Sequence, residues 1–180
     1  MSYFKNFGSV WYQIEEGNFV LLNDITKFAG FTSRYRDQPG FFLVYKIREG
    51  ERPEQISQRL YGDGRFAWTI ILFNGLCDYD NQWPLTQDNL EKLIAAKYPG
   101  QDYADVHHYV DENGDIADPR ALRILNGLKT DADAIGTFKL SPVTIGDYEN
   151  AVNESKRSIK LINANQIAKV EKDLKDLFNG

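Results

Sequence analysis

The sequence predicts an α+β protein, and three observations carry that prediction. A β-rich run, "FFLVYKI", occupies Phe41–Ile47 and leads directly into a helical stretch. That stretch begins at Pro53, a residue suited to the first helical position, and stops at Gly62. The chain ends on apolar residues at helical spacing, Ile167, Val170, Leu174, Leu177 and Phe178. The expected organisation is a β-rich arm over 1–40, a central strand–helix–helix domain with an extra helix over 41–100, and a β-hairpin plus helices over 101–180.

In chain order, "VWYQI" and "FVLLNDIT" read as two short strands joined by Glu15, Glu16, Gly17 and Asn18. "FTSRYRDQPG" is polar, ends in Pro-Gly and reads as a loop. In the helix from Pro53, Glu54 sits near the positive end of the helix dipole, and Ile56 and Leu60 face inward at i and i+4. The next helix, Arg65–Phe73, ends at Asn74-Gly75 and carries Phe66, Ala67, Trp68, Ile70, Ile71, Leu72 and Phe73. A surface helix should show one apolar stripe, so this one must be wrapped by the chain or by another protein. Trp68 is expected to pack against Leu60 and a third helix, Gln87–Lys97, which Thr86 caps and Pro99-Gly100 ends.

Further on, "HHYVDENGDIAD" reads as a hairpin with Asn113-Gly114 at its turn. Pro119–Ser141 reads as a β-ribbon or irregular excursion, with "ALRIL" and "GTFKL" as its strands. Tyr148, Val152 and Ile159 keep helical spacing over about Ile145–Ile162. Asn163-Ala164-Asn165 interrupts, and the amphipathic terminal helix follows.

Bulk properties exclude several function classes. The chain has 180 residues, enough to bury roughly two-thirds of its unfolded surface if compact. Its net charge is −5 with no Lys/Arg cluster, which argues against nucleic acid or an anionic membrane as the main partner. One cysteine, Cys77, excludes an internal disulfide. The opening "MSYFKNFGSV" shows no signal-peptide pattern, and the longest apolar run, Phe66–Phe73, is far short of the ~20 residues that span a bilayer. Aromatic residues make up 13% of the chain, a composition that suits partner binding.

No catalytic or metal motif survives inspection. His107 and His108 are adjacent, and neighbouring strand residues point to opposite faces, so one should pack inward and the other meet water. "DENGD", counted from Asp111 as a calcium loop, would place Ile116 and Leu122 where Gly and Glu are required. Glu15, Glu16, Asp78 and Asp80 offer no spacing that makes a carboxylate pair. There is no Walker loop, nucleophile elbow or dinucleotide fingerprint. The expectation is no catalytic residue, no metal and no cofactor.

The central segment resembles the lysin motif (LysM), a β-α-α-β unit that binds N-acetylglucosamine polymers. Gly50, Ile56, Leu60, Tyr61, Gly62, Ile70 and Asn74 sit where that pattern has turn, core and loop residues. The resemblance implies a vestigial sugar groove at Gly50, Glu51, Arg52, Asn74 and Gly75. The usual closing strand does not follow Asn74; "GLCDYDNQWPLT" rebuilds that loop, which argues against saccharide binding. A peptidoglycan- or chitin-binding LysM protein is the alternative reading.

A second resemblance covers nearly the whole chain. Gly50-Glu51-Arg52-Pro53, Ile56, Tyr61-Gly62-Asp63, Trp68, Asn74, Asp78 and Trp83-Pro84-Leu85-Thr86 follow one another in order, and Lys97-Tyr98-Pro99 closes the unit. With "YFKNFG", Asn23-Asp24-Ile25-Thr26, "HHYVDENGDIAD" and "YENAVNESKRSIKLI", they resemble the baseplate wedge protein 53 family of contractile-tailed bacteriophages, which is LysM-like. The resemblance implies a structural, non-catalytic virion component in the tail baseplate, assembled in the host cytoplasm beside other baseplate wedge proteins. Candidate interface or structural anchors are Trp68, Trp83, Arg157, Leu174 and Phe178. Trp is favoured at interface hot spots. Arg157 is expected either to pair with Glu154 on a solvated helix face or to pair with a neighbouring subunit.

Overall fold

The computed structural model describes residues 3, 7–26 and 29–179. Residues 4–6 of the "YFKNFG" motif therefore lie outside the described residues. The fold mixes helices and short antiparallel sheets, as the α+β prediction requires. The chain forms two compact units, Met1–Pro84 with Arg157–Gly180, and Leu85–Lys156. Their limits do not follow the boundaries drawn at 40 and 100.

In the first unit, strands β1 (Ser9–Glu15) and β2 (Asn18–Asn23) form an antiparallel hairpin with an irregularity between Gln13 and Glu15. One turn of helix, α1 (Ser33–Arg36), interrupts the stretch read as loop. Strand β3 (Phe42–Lys46) precedes α2 (Pro53–Tyr61). The Arg52 N–H donates to the Gln55 side chain at the entry to α2, and Gly62 closes the helix at φ 74°. A positive φ disfavours any residue with a Cβ, which is why glycine stops the helix there. A 3₁₀ turn over Gly64–Phe66 leads into α3 (Ala67–Phe73), and α4 (Tyr79–Gln82) follows.

Strand β7 (Ser158–Ile162) corrects the sequence reading of a continuous helix through Ile162. It pairs antiparallel with β3, Leu43 opposite Leu161 and Tyr45 opposite Ile159. Ile159 fits a helical period from Tyr148 and Val152, but "SIKLI" also alternates. Pairing with a strand more than a hundred residues upstream selects the strand, because β propensity reports fit to a partner. Helix α9 (Ala164–Asn179) ends the unit.

The apolar helix α3 is wrapped inside its own unit, between two clusters. Trp68 and Phe73 belong to one, with Tyr3, Phe7, Phe41, Ile162, Ile167, Val170 and Leu174. Ile70 belongs to the other, with Ile47, Ile56, Trp83, Ile159 and Leu161. Trp68 therefore lies with the aromatic and C-terminal residues, whereas Leu60 borders the second cluster.

In the second unit, Thr86 caps α5 (Gln87–Lys97) by accepting from the Asn89 N–H. Leu90 and Ile94 are buried with Ile145, while Leu93 is exposed. Strands β4 (Val106–Val110), β5 (Ile116–Ala117) and β6 (Ser141–Thr144) form one antiparallel sheet with β4 central. The expected ribbon over Pro119–Ser141 is instead mostly two helices, α6 (Pro119–Leu125) and α7 (Asp131–Thr137). Asp118 caps the first ahead of Pro119, and Thr130 and Asp133 form a capping box on the second. Helix α8 (Ile145–Ser155) completes the unit.

Candidate functional site

The residues assigned to a vestigial sugar groove are tied into the first unit. The Glu51 carboxylate accepts from Tyr45 Oη at 2.6 Å and the Arg48 N–H at 3.1 Å, and pairs with Arg59 at 2.6 Å. Burial pushes its pKa up, but the hydrogen bonds from Tyr45, Arg48 and Arg59 outweigh burial and leave it below the usual glutamate value. Trp83 is buried and its Nε1–H donates to the Glu51 carbonyl at 2.9 Å, which anchors the rebuilt loop. The Asn74 side chain donates to the Ile70 and Lys160 carbonyls, both at 2.8 Å, and accepts from the Lys160 N–H at 2.8 Å. Gly50 and Gly75 both adopt positive φ, and Arg52 is exposed at the α2 cap.

The candidate anchors also lie within the first unit. Trp68 is buried, and among the described residues its indole N–H has no hydrogen-bond partner. It lines a cleft of about 290 Å³ with Phe31, Tyr35, Phe41, Leu72, Val170 and Leu174. Leu174 is buried, while Phe178 is half-buried and stacks on Phe7 with ring centroids 4.3 Å apart. Arg157 is buried, forms an ion pair with Glu49 and donates to the Ile47 carbonyl at 3.4 Å. Trp68, Leu174 and Phe178 thus come together in one cluster, while Trp83 lies in the other.

The second unit holds one buried charge. Glu149 is 4% exposed and accepts from Lys97 Nζ at 2.6 Å and Tyr98 Oη at 2.7 Å. His107 stacks on Tyr148, with ring centroids 4.1 Å apart and planes 8° from parallel. The two histidines depart from the opposite-faces expectation. An irregularity between Val106 and His108 brings their Nδ1 atoms to 2.8 Å, with His107 exposed and His108 half-buried. Among the described residues, no group of three His, Cys, Asp or Glu is arranged to hold a metal ion.

The sequence reading found the β1–β2 hairpin but gave it no role. Every residue from Ser9 to Asn23 is exposed, including Trp11, Tyr12, Ile14, Phe19, Leu21 and Leu22. The available signal was the near absence of polar alternation along both strands. A half-buried strand should alternate.

Buried polar groups that brace the chain, beside a large exposed apolar hairpin, describe a structural protein that meets other proteins. The chain belongs to the base plate wedge protein 53 family, whose model matches residues 18–118. It is 24% identical over 138 residues to baseplate wedge protein gp53 of Enterobacteria phage T4, covering 73% of this chain and 70% of that protein.

Proposed function

We propose that this chain joins neighbouring subunits of a phage tail baseplate wedge through protein–protein contacts, without catalysis. The membership in the wedge protein 53 family carries the reading. Its place is the virion, after assembly in the host cytoplasm, and its partners are other baseplate wedge proteins. In this reading Trp68, Trp83, Arg157, Leu174 and Phe178 are structural anchors, fixing the unit that presents the binding surface.

The core is read as LysM-like. The order β3–α2–α3–β7, with the two strands antiparallel, matches the β-α-α-β unit, and its closing strand arrives after the 85–156 unit. The sugar-binding alternative draws on that likeness alone. The use of Glu51 and Asn74 in internal hydrogen bonds weighs against it.

A phage carrying a stop codon in this gene should make no complete baseplates by electron microscopy, and the chain supplied from a plasmid should restore them. Normal baseplates without the chain would contradict the reading. Pelleting with insoluble peptidoglycan, released by soluble chito-oligosaccharide, would favour the alternative.

A further inference from the structure

We infer that the β1–β2 hairpin is a tongue that inserts into an apolar cleft of a different wedge subunit; the inference rests on the wedge reading above. The hairpin is apolar on both faces. The register places Val10 opposite Leu22 and Tyr12 opposite Val20 on one face. Trp11 opposite Leu21, with Phe19 opposite Gln13, occupies the other. Trp11 is 67% exposed, Tyr12 59% and Ile14 58%. Together the eight large residues leave on the order of 800 Å² open over the two faces, about one partner's share of a standard-size interface.

Two-sidedness selects the occupant. A flat partner covers one face and leaves the other in water. A second copy adding edge to edge would extend the ribbon with both faces still bare, and a second copy stacked face to face would cover one face of each. A cleft with two apolar walls covers both. An isolated two-stranded hairpin is marginally stable in water, so such walls would also hold its shape. Charge sets the direction of entry. Between Ser9 and Asn23 the charged residues are Glu15 and Glu16, both at the tip. The cleft should therefore carry Lys or Arg where the tip arrives.

The test is photo-crosslinking in wedges made by co-expressing the full chain with the other wedge subunits of the same phage. A benzophenone amino acid replaces Tyr12 in one preparation and Phe19 in another, one probe per face. Both probes should link to one and the same neighbouring subunit. The double variant Val10→Ser/Leu22→Ser should melt like the native chain yet be depleted from purified wedges by about tenfold or more. Glu15→Lys/Glu16→Lys should be depleted similarly. Links from one face only, links to a second copy of this chain, or undiminished incorporation of both variants would overturn the tongue while leaving the wedge role intact. Failure of the unmodified chain to enter wedges would overturn the wedge reading and the tongue with it.

Discussion

Asn74 brackets the backbone of Lys160: its side chain donates to the Lys160 carbonyl and accepts from the Lys160 N–H, each at 2.8 Å. The amide thus fastens the end of α3 to β7, the strand that pairs with β3. Asn153 brackets Leu85 in the same way in the second unit, at 2.7 and 3.0 Å.

Removing the bracket should loosen the first unit. Asn74→Ala leaves part-buried backbone groups of Lys160 without these partners, at about 1–3 kcal/mol. Asn74→Asp keeps the acceptor but loses the donor, so it should also destabilise. Chemical denaturation checks this, and an Asn74→Ala stability within about 0.5 kcal/mol of the native chain would contradict it.

Trp68→Ala should cost about 3–5 kcal/mol, the usual range for emptying a buried tryptophan site. Trp68→Phe should recover much of that, because among the described residues the indole N–H has no hydrogen-bond partner to lose. Equal loss in both variants by urea unfolding would mean the indole itself is held.

Glu149 should make the second unit acid-sensitive. Burial pushes its pKa up, but hydrogen bonds from Lys97 and Tyr98 prevail and lower it from 4.5. The stability it contributes is present above 4.5 and is lost as pH falls through the lowered folded value. Lys97 has the opposite sign. Its hydrogen bond to Glu149 raises its pKa above 10.5, so its contribution holds below 10.5 and fades as pH rises through the folded value. Unfolding midpoints across pH should therefore fall off at both ends in the native chain. The acid-side fall should be shallower in Glu149→Gln, and identical acid limbs would refute the assignment.

Arg157→Met should destabilise the first unit by about 1–3 kcal/mol, because the buried guanidinium serves the Ile47 carbonyl as well as Glu49. Arg157→Lys should not restore native stability, since one ammonium cannot reproduce the fork that reaches both partners. Full rescue by lysine in thermal unfolding would show that charge alone suffices.

Local punctuation was the legible part of the fold. Pro53, Gly62, Thr86 and Asn113-Gly114 mark boundaries that the backbone honours, because each acts within a few residues. The errors fall where longer-range contacts or competing local signals decide. "SIKLI" needed β3 to become a strand. "ALRIL" looked β-rich, although Asp118-Pro119 was a readable helix start. The histidine pair turned on a local strand irregularity that alternation does not reveal. Motif residues marked the family, but Glu51 and Asn74 carry internal bonds, whereas the β1–β2 hairpin, exposed along its whole length, presents an apolar surface.

The most direct measurement is the mass of wedge complexes assembled from the co-expressed wedge subunits of the phage, with and without this chain, by mass photometry. If the chain joins neighbouring subunits, its presence should convert smaller complexes into heavier ones containing both the chain and additional neighbours. Identical mass distributions, with the chain left free in solution, would contradict the joining role.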